Sequence, residues 1–501
     1  MIEFSDPILT AQEAVAFEEI YFQGDSEKEW TVIRSAGTHV AHALLNDFLE
    51  YAEVPVSPRI LVIIGKGHNA ADALIAAQTL LETCRDANID VVFVFGELSL
   101  KPLAKKAWIQ LQEFNPKRVN TCTLTQLAKK YSVSLDGVFG AAYRNPLPAE
   151  AATVIDYVNK LSVDFRAAVD LPSGLNERGA FKADFTYATG SVKSDLLSCS
   201  NAGRIRYIDL GFFNPGETVG LGSDRVLKPS ILSPLAGLRP SHCDKRTYGH
   251  LFIVGGSLRY PGSVLMTVKS ALKSGVGLVT ACVPEFLIAD YAAVAPEAMW
   301  VGMPCNPDTG GMNLDGLKKI EELWHLATAI VIGPGMGRSK ETTELLTQFF
   351  SRVNLPLVID ADALQQPWIN ALKTPAILTP HSGEFTRISS GCNLRTFVSQ
   401  TGTTVVLKSS ATRIMGYDGN TYISFYGGPV LARGGSGDLL AGLIGGLLAQ
   451  TPHDLALAAA RGAVWHGMAA DLLARSQGQT ATCVTELLAH LPEVLRTLNK
   501  T

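Results

Sequence analysis

Apolar positions along the chain fall into two recurring patterns. Short continuous apolar runs, each closed by a glycine or a polar loop, occur at Arg59-Ile60-Leu61-Val62-Ile63-Ile64-Gly65 and at 90–95, 137–139 and 167–169. Runs of this kind mark strands covered on both faces, as in a parallel sheet. Between them the spacing predicts helices. One helical region covers 9–50, where Thr10 stands three residues before Glu13 as a capping pair. Another covers 73–81, after the loop Lys66-Gly67-His68-Asn69-Ala70-Ala71-Asp72. A last strand of this half is predicted within 202–213.

The second half repeats the pattern. Strands at 250–254, 278–283, 329–332, 356–359, 376–379 and 404–407 each run into a loop of small or polar residues. Pro261-Gly262-Ser263 leads into a helix over 264–274, and the apolar run 439–448 reads as a buried helix. Alternating strands and helices of this kind predict α/β units whose sheets carry their chemistry on one edge. Turn formers without periodicity separate the halves: Asn214-Pro215-Gly216, Gly220-Leu221-Gly222, Pro229, Pro234 and Pro240. A chain of 501 residues exceeds one hydrophobic core. The reading is two domains, 1–225 and 235–501, the first a Rossmann-like doubly wound sheet.

Composition adds exclusions. The chain is 47% hydrophobic and 18% charged, with a net charge of −4, which argues against a general nucleic-acid or anionic-membrane binder. No apolar run is long enough to span a bilayer, and the first residues lack a basic stretch followed by an apolar one. The 8 cysteines are scattered without a Cys-x-x-Cys pair, as expected of a reducing, cytoplasmic compartment.

Candidate chemistry concentrates in the loops. Gly434, Gly435, Ser436 and Gly437 stand before Asp438 and a helix, so backbone N–H groups and the helix dipole can converge on an anion there. A carboxylate beside such a cradle suits a general base acting on a hydroxyl next to a phosphoryl donor. The alternative is a glycine turn with Asp438 stabilising the helix N-terminus. In the first half, Asn69, Asp136 and Ser173 offer oxygen ligands for a hard cation, and Asp170 offers an acid/base group. All three residue types are also common in caps and turns. One of Asp360 and Asp362 reads as a cap of the following helix, and Glu384 as a helper for Mg²⁺ through water.

Two resemblances carry these motifs further. Asp170-Leu171-Pro172-Ser173-Gly174, Asp136-Gly137-Val138-Phe139-Gly140 and Gly65-Lys66-Gly67-His68-Asn69-Ala70-Ala71-Asp72-Ala73 resemble three motifs of the YjeF N-terminal, NAD(P)H-hydrate epimerase family. The resemblance implies K⁺ on Asn69, Asp136 and Ser173, with Asp170 and Asp72 at the substrate and Asp170 as the catalytic acid. The third motif departs from the family: Ala70, Ala71 and Ala73 replace glycines. Methyl groups there would crowd a pyrophosphate and would be strained at positive φ, so low or absent epimerase activity is expected.

The second half resembles the ADP/ATP-dependent NAD(P)H-hydrate dehydratases of the ribokinase-like superfamily. The matching strings are Lys245-Arg246-Thr247-Tyr248-Gly249-His250, Gly333-Pro334-Gly335-Met336-Gly337, Asp360-Ala361-Asp362-Ala363-Leu364, Thr379-Pro380-His381-Ser382-Gly383-Glu384 and Gly434 to Asp438. The resemblance implies that Ser263, Gly337, His381 and Asp438 contact the hydrate. It also implies that Lys408, Ser409, Ser410, Ala411, Thr412, Gly434, Gly435, Ser436 and Gly437 bind nucleotide, and that Asp438 is catalytic. Mg²⁺ and ADP or ATP are the implied cofactor and co-substrate, NAD(P)H hydrates the substrates, and a homo-oligomer the expected assembly. The alternative is a ribokinase-like small-molecule kinase with a non-catalytic first half serving as a binding or assembly module.

Overall fold

A computed structural model of the chain describes residues 2–213 and 222–498. The turn-rich positions Asn214, Pro215, Gly216, Gly220 and Leu221, expected in the linker, lie outside the described residues. The chain divides into two compact units: Asp6–Gly222 with Arg475–Gln479, and Met1–Ser5 with Ser223–Ala474 and Thr480–Thr501.

The first unit is built on a 7-stranded sheet. Its strands run in the spatial order Val119–Thr121, Asn88–Phe93, Arg59–Ile64, Lys130–Gly137, Ser162–Val169, Phe185–Thr189 and Arg204–Ile208. Every pairing is parallel. The direction of strand addition reverses between Arg59–Ile64 and Lys130–Gly137, so a crevice opens beyond their carboxyl ends. A separate strand, Ser5–Leu9, pairs in parallel with Val192–Lys193 through Ile8↔Val192 and Leu9↔Lys193.

Several boundaries differ from the sequence reading. Residues 9–50 are not one helical region. The helix Ala11–Phe22, opened by the Thr10–Glu13 capping box, stops where Gln23 and Gly24 take positive φ. Asp25 then caps Ser26–Phe48 through the Glu27 and Lys28 N–H groups. The strand expected at 137–139 ends at Gly137.

The largest correction concerns residues 66–73. The helix begins at His68, not Ala73, and continues to Thr83. Ala70, Ala71 and Ala73 therefore have helical backbone, which alanine favours. Their methyls are fully buried in the core with Ile60, Val62 and Ile64, and none of the three has positive φ. The expected strain is absent. The close approach falls on Gly137 instead, where an added Cβ would collide with Ala73 Cβ.

The second unit orders its strands as Met299–Met303, Leu278–Pro284, His250–Val254, Ala329–Ile332, Leu357–Ile359, Ala376–Leu378, Thr404–Leu407, Thr412–Met415, Thr421–Ser424 and Asp224–Leu227. The first seven are parallel. Thr404–Leu407, Thr412–Met415 and Thr421–Ser424 are antiparallel, an addition to the expected parallel sheet. Strand order again reverses, between His250–Val254 and Ala329–Ile332. The helix Ser436–Gln450, apolar on all sides from Leu439 to Ala449, packs as a buried element against Pro261–Lys273 and the sheet. The helix expected from 264 starts at Pro261, which puts Ser263 in its first turn. No helix among the described residues is long and apolar enough to cross a membrane.

Candidate functional site

The crevice of the first unit contains a cavity of about 700 Å³, lined by Asn69, Asp72, Asp170, Thr189, Glu18 and the 138–144 loop among others. Asn69 and Asp72 lie in the opening turns of His68–Thr83, directly after the Arg59–Ile64 strand. Asp136 is the penultimate residue of Lys130–Gly137, and Asp170 follows Ser162–Val169. Parallel strands thus deliver these side chains to one edge.

Asp136 and Ser173 lock the two strand ends together. Ser173 donates from its N–H to Asp136 Oδ2 at 2.7 Å and from its hydroxyl to Oδ1 at 2.8 Å. The Ser173 hydroxyl also accepts the Phe139 N–H at 3.0 Å. Burial pushes Asp136 up to about 6, against the pull of these hydrogen bonds. Asn69 donates to the Phe139 carbonyl at 2.8 Å, while its buried Oδ1 has no partner.

Asp170 is buried in the left-handed region at φ 64°, where a non-glycine residue is held only by strong surroundings. One carboxylate oxygen accepts the Ala141 N–H at 2.9 Å, and the other is ion-paired with Lys193. Lys193 is 1% exposed and also donates to the Thr189 and Ser191 carbonyls, each at 3.0 Å. Asp72 lies beside this pair with a buried, unpartnered Oδ1. Burial first, then the charges of Asp170 and Glu18, hold its carboxyl well above the usual range. Burial also raises Glu18 to about 7, against the attraction of Lys193.

In the second unit the helix starts at Ser436, earlier than the sequence indicated, so Ser436 and Gly437 lie in its first turn and only Gly434 and Gly435 precede it. Gly435 is the N-cap at φ 93°, where a Cβ would meet Met266 Sδ at 2.5 Å. Ser436 donates to the Leu431 carbonyl at 2.7 Å, and Gly434 faces open space. Asp438 lies in the first turn, hydrogen-bonded to Ser263. Burial raises its carboxyl to about 7, aided by Asp360 and opposed by Ser263 and Lys408. Lys408 Nζ lies 3.1 Å from Asp360 Oδ1 and 4.0 Å from Glu384 Oε2. A Cβ on Gly437 would stand 3.1 Å from the same ammonium. One lysine therefore joins two strand-end loops, its own and that of Asp360, to the helix start, with Glu384 from the first turn of Ser382–Ser389 nearby.

The expected cap resolves differently. Asp360 makes no side-chain cap bond; its Oδ1 accepts from Thr379 at 2.7 Å and from Lys408. Asp362 accepts the Gly337 N–H at 2.9 Å and pairs with Arg338 at 3.2 Å. His381 is itself a helix cap: its Nδ1 accepts from the Gly383 and Glu384 N–H groups, and Glu384 accepts the His381 N–H at 2.9 Å. Ser409, Ser410 and Ala411 form the turn between antiparallel strands, closed by Ser409 donating to the Ala411 carbonyl at 2.7 Å and Thr412 to the Ser409 carbonyl at 3.2 Å. Gly337 opens onto a separate cavity of about 750 Å³ with Ser257, Tyr260, Arg338 and Asp362.

Sequence reasoning missed Lys193, Glu18 and the bridging role of Asp360. Lys193 directly follows Gly190-Ser191-Val192, a stretch that gives no local sign of an ion pair with Asp170.

These features define the class: a two-unit α/β protein with a carboxyl-lined cavity in the crevice of the first unit and, in the second, a glycine-rich helix start with an adjacent carboxyl group. Residues 251–493 match the family model described as NAD(P)H-hydrate dehydratase, and residues 30–195 that of the YjeF-related protein N-terminus. The bifunctional NAD(P)H-hydrate repair enzyme Nnr of Moorella thermoacetica is 30% identical, covering 94% of this chain and 93% of that protein. The Nnr of Gloeobacter violaceus is 32% identical, covering 88% of this chain and 89% of that protein. The ADP/ATP-dependent NAD(P)H-hydrate dehydratase of Bacillus subtilis, co-crystallised with ATP/Mg²⁺, is 29% identical with a TM-score of 0.46, covering 52% of this chain and 93% of that one. The chain belongs to the bifunctional NAD(P)H-hydrate repair enzyme family.

Proposed function

We propose that the chain repairs hydrated nicotinamide dinucleotides: the 235–501 domain dehydrates the S-hydrate at the expense of ADP or ATP, and the 1–225 domain interconverts the R- and S-hydrates. The observation that carries the first part is Asp438 in the opening turn of Ser436–Gln450, beside Lys408 and Ser263. A carboxyl group raised to about 7 can accept a proton at neutral pH.

In this reading Asp438 takes the proton of the ring hydroxyl, whose oxygen attacks the terminal phosphoryl group of the nucleotide. The first-turn N–H groups and Lys408 face the charge that develops on the transferring group. Phosphate then leaves with the oxygen and the neighbouring carbon gives up a proton, which restores the ring double bond. Asp360 and Glu384 hold Lys408 in position throughout.

Among the described residues no group of three or more His, Cys, Asp or Glu is arranged to hold a metal ion. The reading takes Mg²⁺ on the nucleotide phosphates, with Glu384 as its outer-sphere partner. That ion supplies neutralisation of phosphate charge. In the first unit the buried, unpartnered Asn69 Oδ1 beside the Asp136–Ser173 pair suits a monovalent hard cation, and K⁺ there would supply positive charge at the cavity wall.

Incubation of the full chain with S-hydrate, Mg²⁺ and ADP or ATP tests the reading. Return of reduced-nicotinamide absorbance with release of inorganic phosphate supports it. Accumulation of a phosphorylated alcohol would identify a kinase instead.

A further inference from the structure

The wall of the first unit's cavity carries both basic side chains, Lys66, Lys101 and Arg144, and acidic ones. Asp72, Asp170 and Glu18 all line it, and the only lysine joined to them by a described ion pair is Lys193. Lys193 is committed to Asp170 and to two backbone carbonyls. Asp72 is left beside the pair, buried, with an oxygen that no donor satisfies. An orphaned buried carboxyl oxygen costs free energy, and such costs collect where a ligand is to supply the partner.

The substrate chemistry gives this arrangement a use. Hydration of an enamine places the hydroxyl on the carbon bonded to the ring nitrogen. Inverting that carbon requires its C–O bond to break, with the nitrogen lone pair forming a C=N⁺ bond. The departing oxygen must gain a proton, and the water that adds to the opposite face must lose one. Two groups of opposite protonation state are needed, and no external reductant or oxidant.

We infer that Asp72 is a second catalytic residue of the epimerase site: it donates the proton to the departing hydroxyl while Asp170, tied to Lys193, takes the proton of the incoming water. The inference rests on the epimerase reading proposed above. After one inversion Asp72 is ionised and Asp170 protonated, which is the state that runs the reverse reaction, so charge and atoms balance over each direction. The charged and titratable neighbours of Asp72 are Asp170 and Lys193 on the sheet edge and Glu18 on Ala11–Phe22. Burial and the two carboxyl neighbours keep Asp72 as a proton donor at neutral pH.

The test follows R- to S-hydrate conversion chromatographically with the full chain, without ADP or ATP, in H₂¹⁸O. Wild type is expected to incorporate one solvent oxygen per inversion. Asp72→Asn, which keeps shape and hydrogen bonding, is expected to lose about 10²-fold in kcat with KM changed less than a few-fold. Asp72→Glu is expected to recover part of the loss. If Asp72→Asn turns over within about threefold of wild type, or if wild-type product retains the original oxygen, the assignment of Asp72 is overturned while epimerase activity stands. If wild type does not exceed the spontaneous rate, the epimerase reading falls, and the inference with it.

Discussion

Lys408 Nζ lies 3.1 Å from Asp360 Oδ1, and that ion pair fixes the ammonium where a side chain on Gly437 would have to go. The lysine is thereby aimed at the start of Ser436–Gln450, next to Asp438. Two strand-end loops and one helix terminus thus share a single positive charge.

Replacing Asp438 with Asn is expected to leave a folded protein that binds nucleotide but turns over at least about 10²-fold more slowly. Rapid-mixing assays with S-hydrate and ADP or ATP check this. Near-normal turnover would remove Asp438 from proton transfer. In the wild type, kcat/KM should rise with pH up to about 7 and then level, as the carboxylate form becomes dominant.

The same residue makes a stability prediction of definite sign. Asp438 rises from an ordinary value of 3.8 to about 7 on folding. Between those pH values the native state holds a proton that the unfolded chain has lost, so stability falls as pH rises. Asp438→Asn escapes that fall. Its Tm relative to wild type should climb from pH 4 to pH 7 and stay level above; a gap that shrinks over this range would contradict the burial of Asp438.

Gly437→Val places a branched side chain against the Lys408 ammonium and into the phosphate approach. Nucleotide affinity is expected to drop at least tenfold, about 1.4 kcal/mol, in calorimetric titration of correctly folded protein. Unchanged affinity would place the phosphate elsewhere.

Glycine at positions 70, 71 and 73 together should not improve hydrate epimerisation. These alanines are helical and buried away from the cavity. The expected result is destabilisation by about 1 kcal/mol per position, read as a lower urea midpoint at unchanged slope. A gain in epimerase rate would show that the methyls do reach the ligand.

K⁺ should raise the Tm of the full chain above that in tetramethylammonium chloride at equal ionic strength. Asn69→Ala should abolish the difference, because the unpartnered Oδ1 is then gone. A K⁺ response that survives the substitution would move the cation site.

The strands were readable because a parallel sheet buries both faces, and Ala329–Ile332 or the stretch from Ile60 to Ile64 then have only apolar residues to show. The loops at their carboxyl ends were readable for the same reason: Asp136, Asp170, Lys408 and Asp438 stand out against apolar flanks. What sequence could not supply was the partner of each polar group. Asp360 stood as a candidate cap because caps are local, whereas its partners Thr379 and Lys408 come from other strands. Residues 66–72 were read as loop because Gly65 and Gly67 suggested a turn. The buried face of the helix that begins at His68 shows only once Gly137 packs against it. Lys193 escaped notice because a lysine between Val192 and Ser194 has no local signature of its destination.

The pairing of Leu9 with Lys193 also sets an order of assembly. A ribosome releases Ser5–Leu9 early, yet its partner strand emerges only after almost the whole first sheet has been translated. Contacts of such long sequence separation close late, since the loop entropy must be met before they contribute. Lys193, the counter-ion of Asp170, belongs to that late strand. A nascent chain halted just before it would hold a nearly complete sheet and an Asp170 with no ammonium to meet it, so competence of this site would arrive with the last strands rather than with the bulk of the fold.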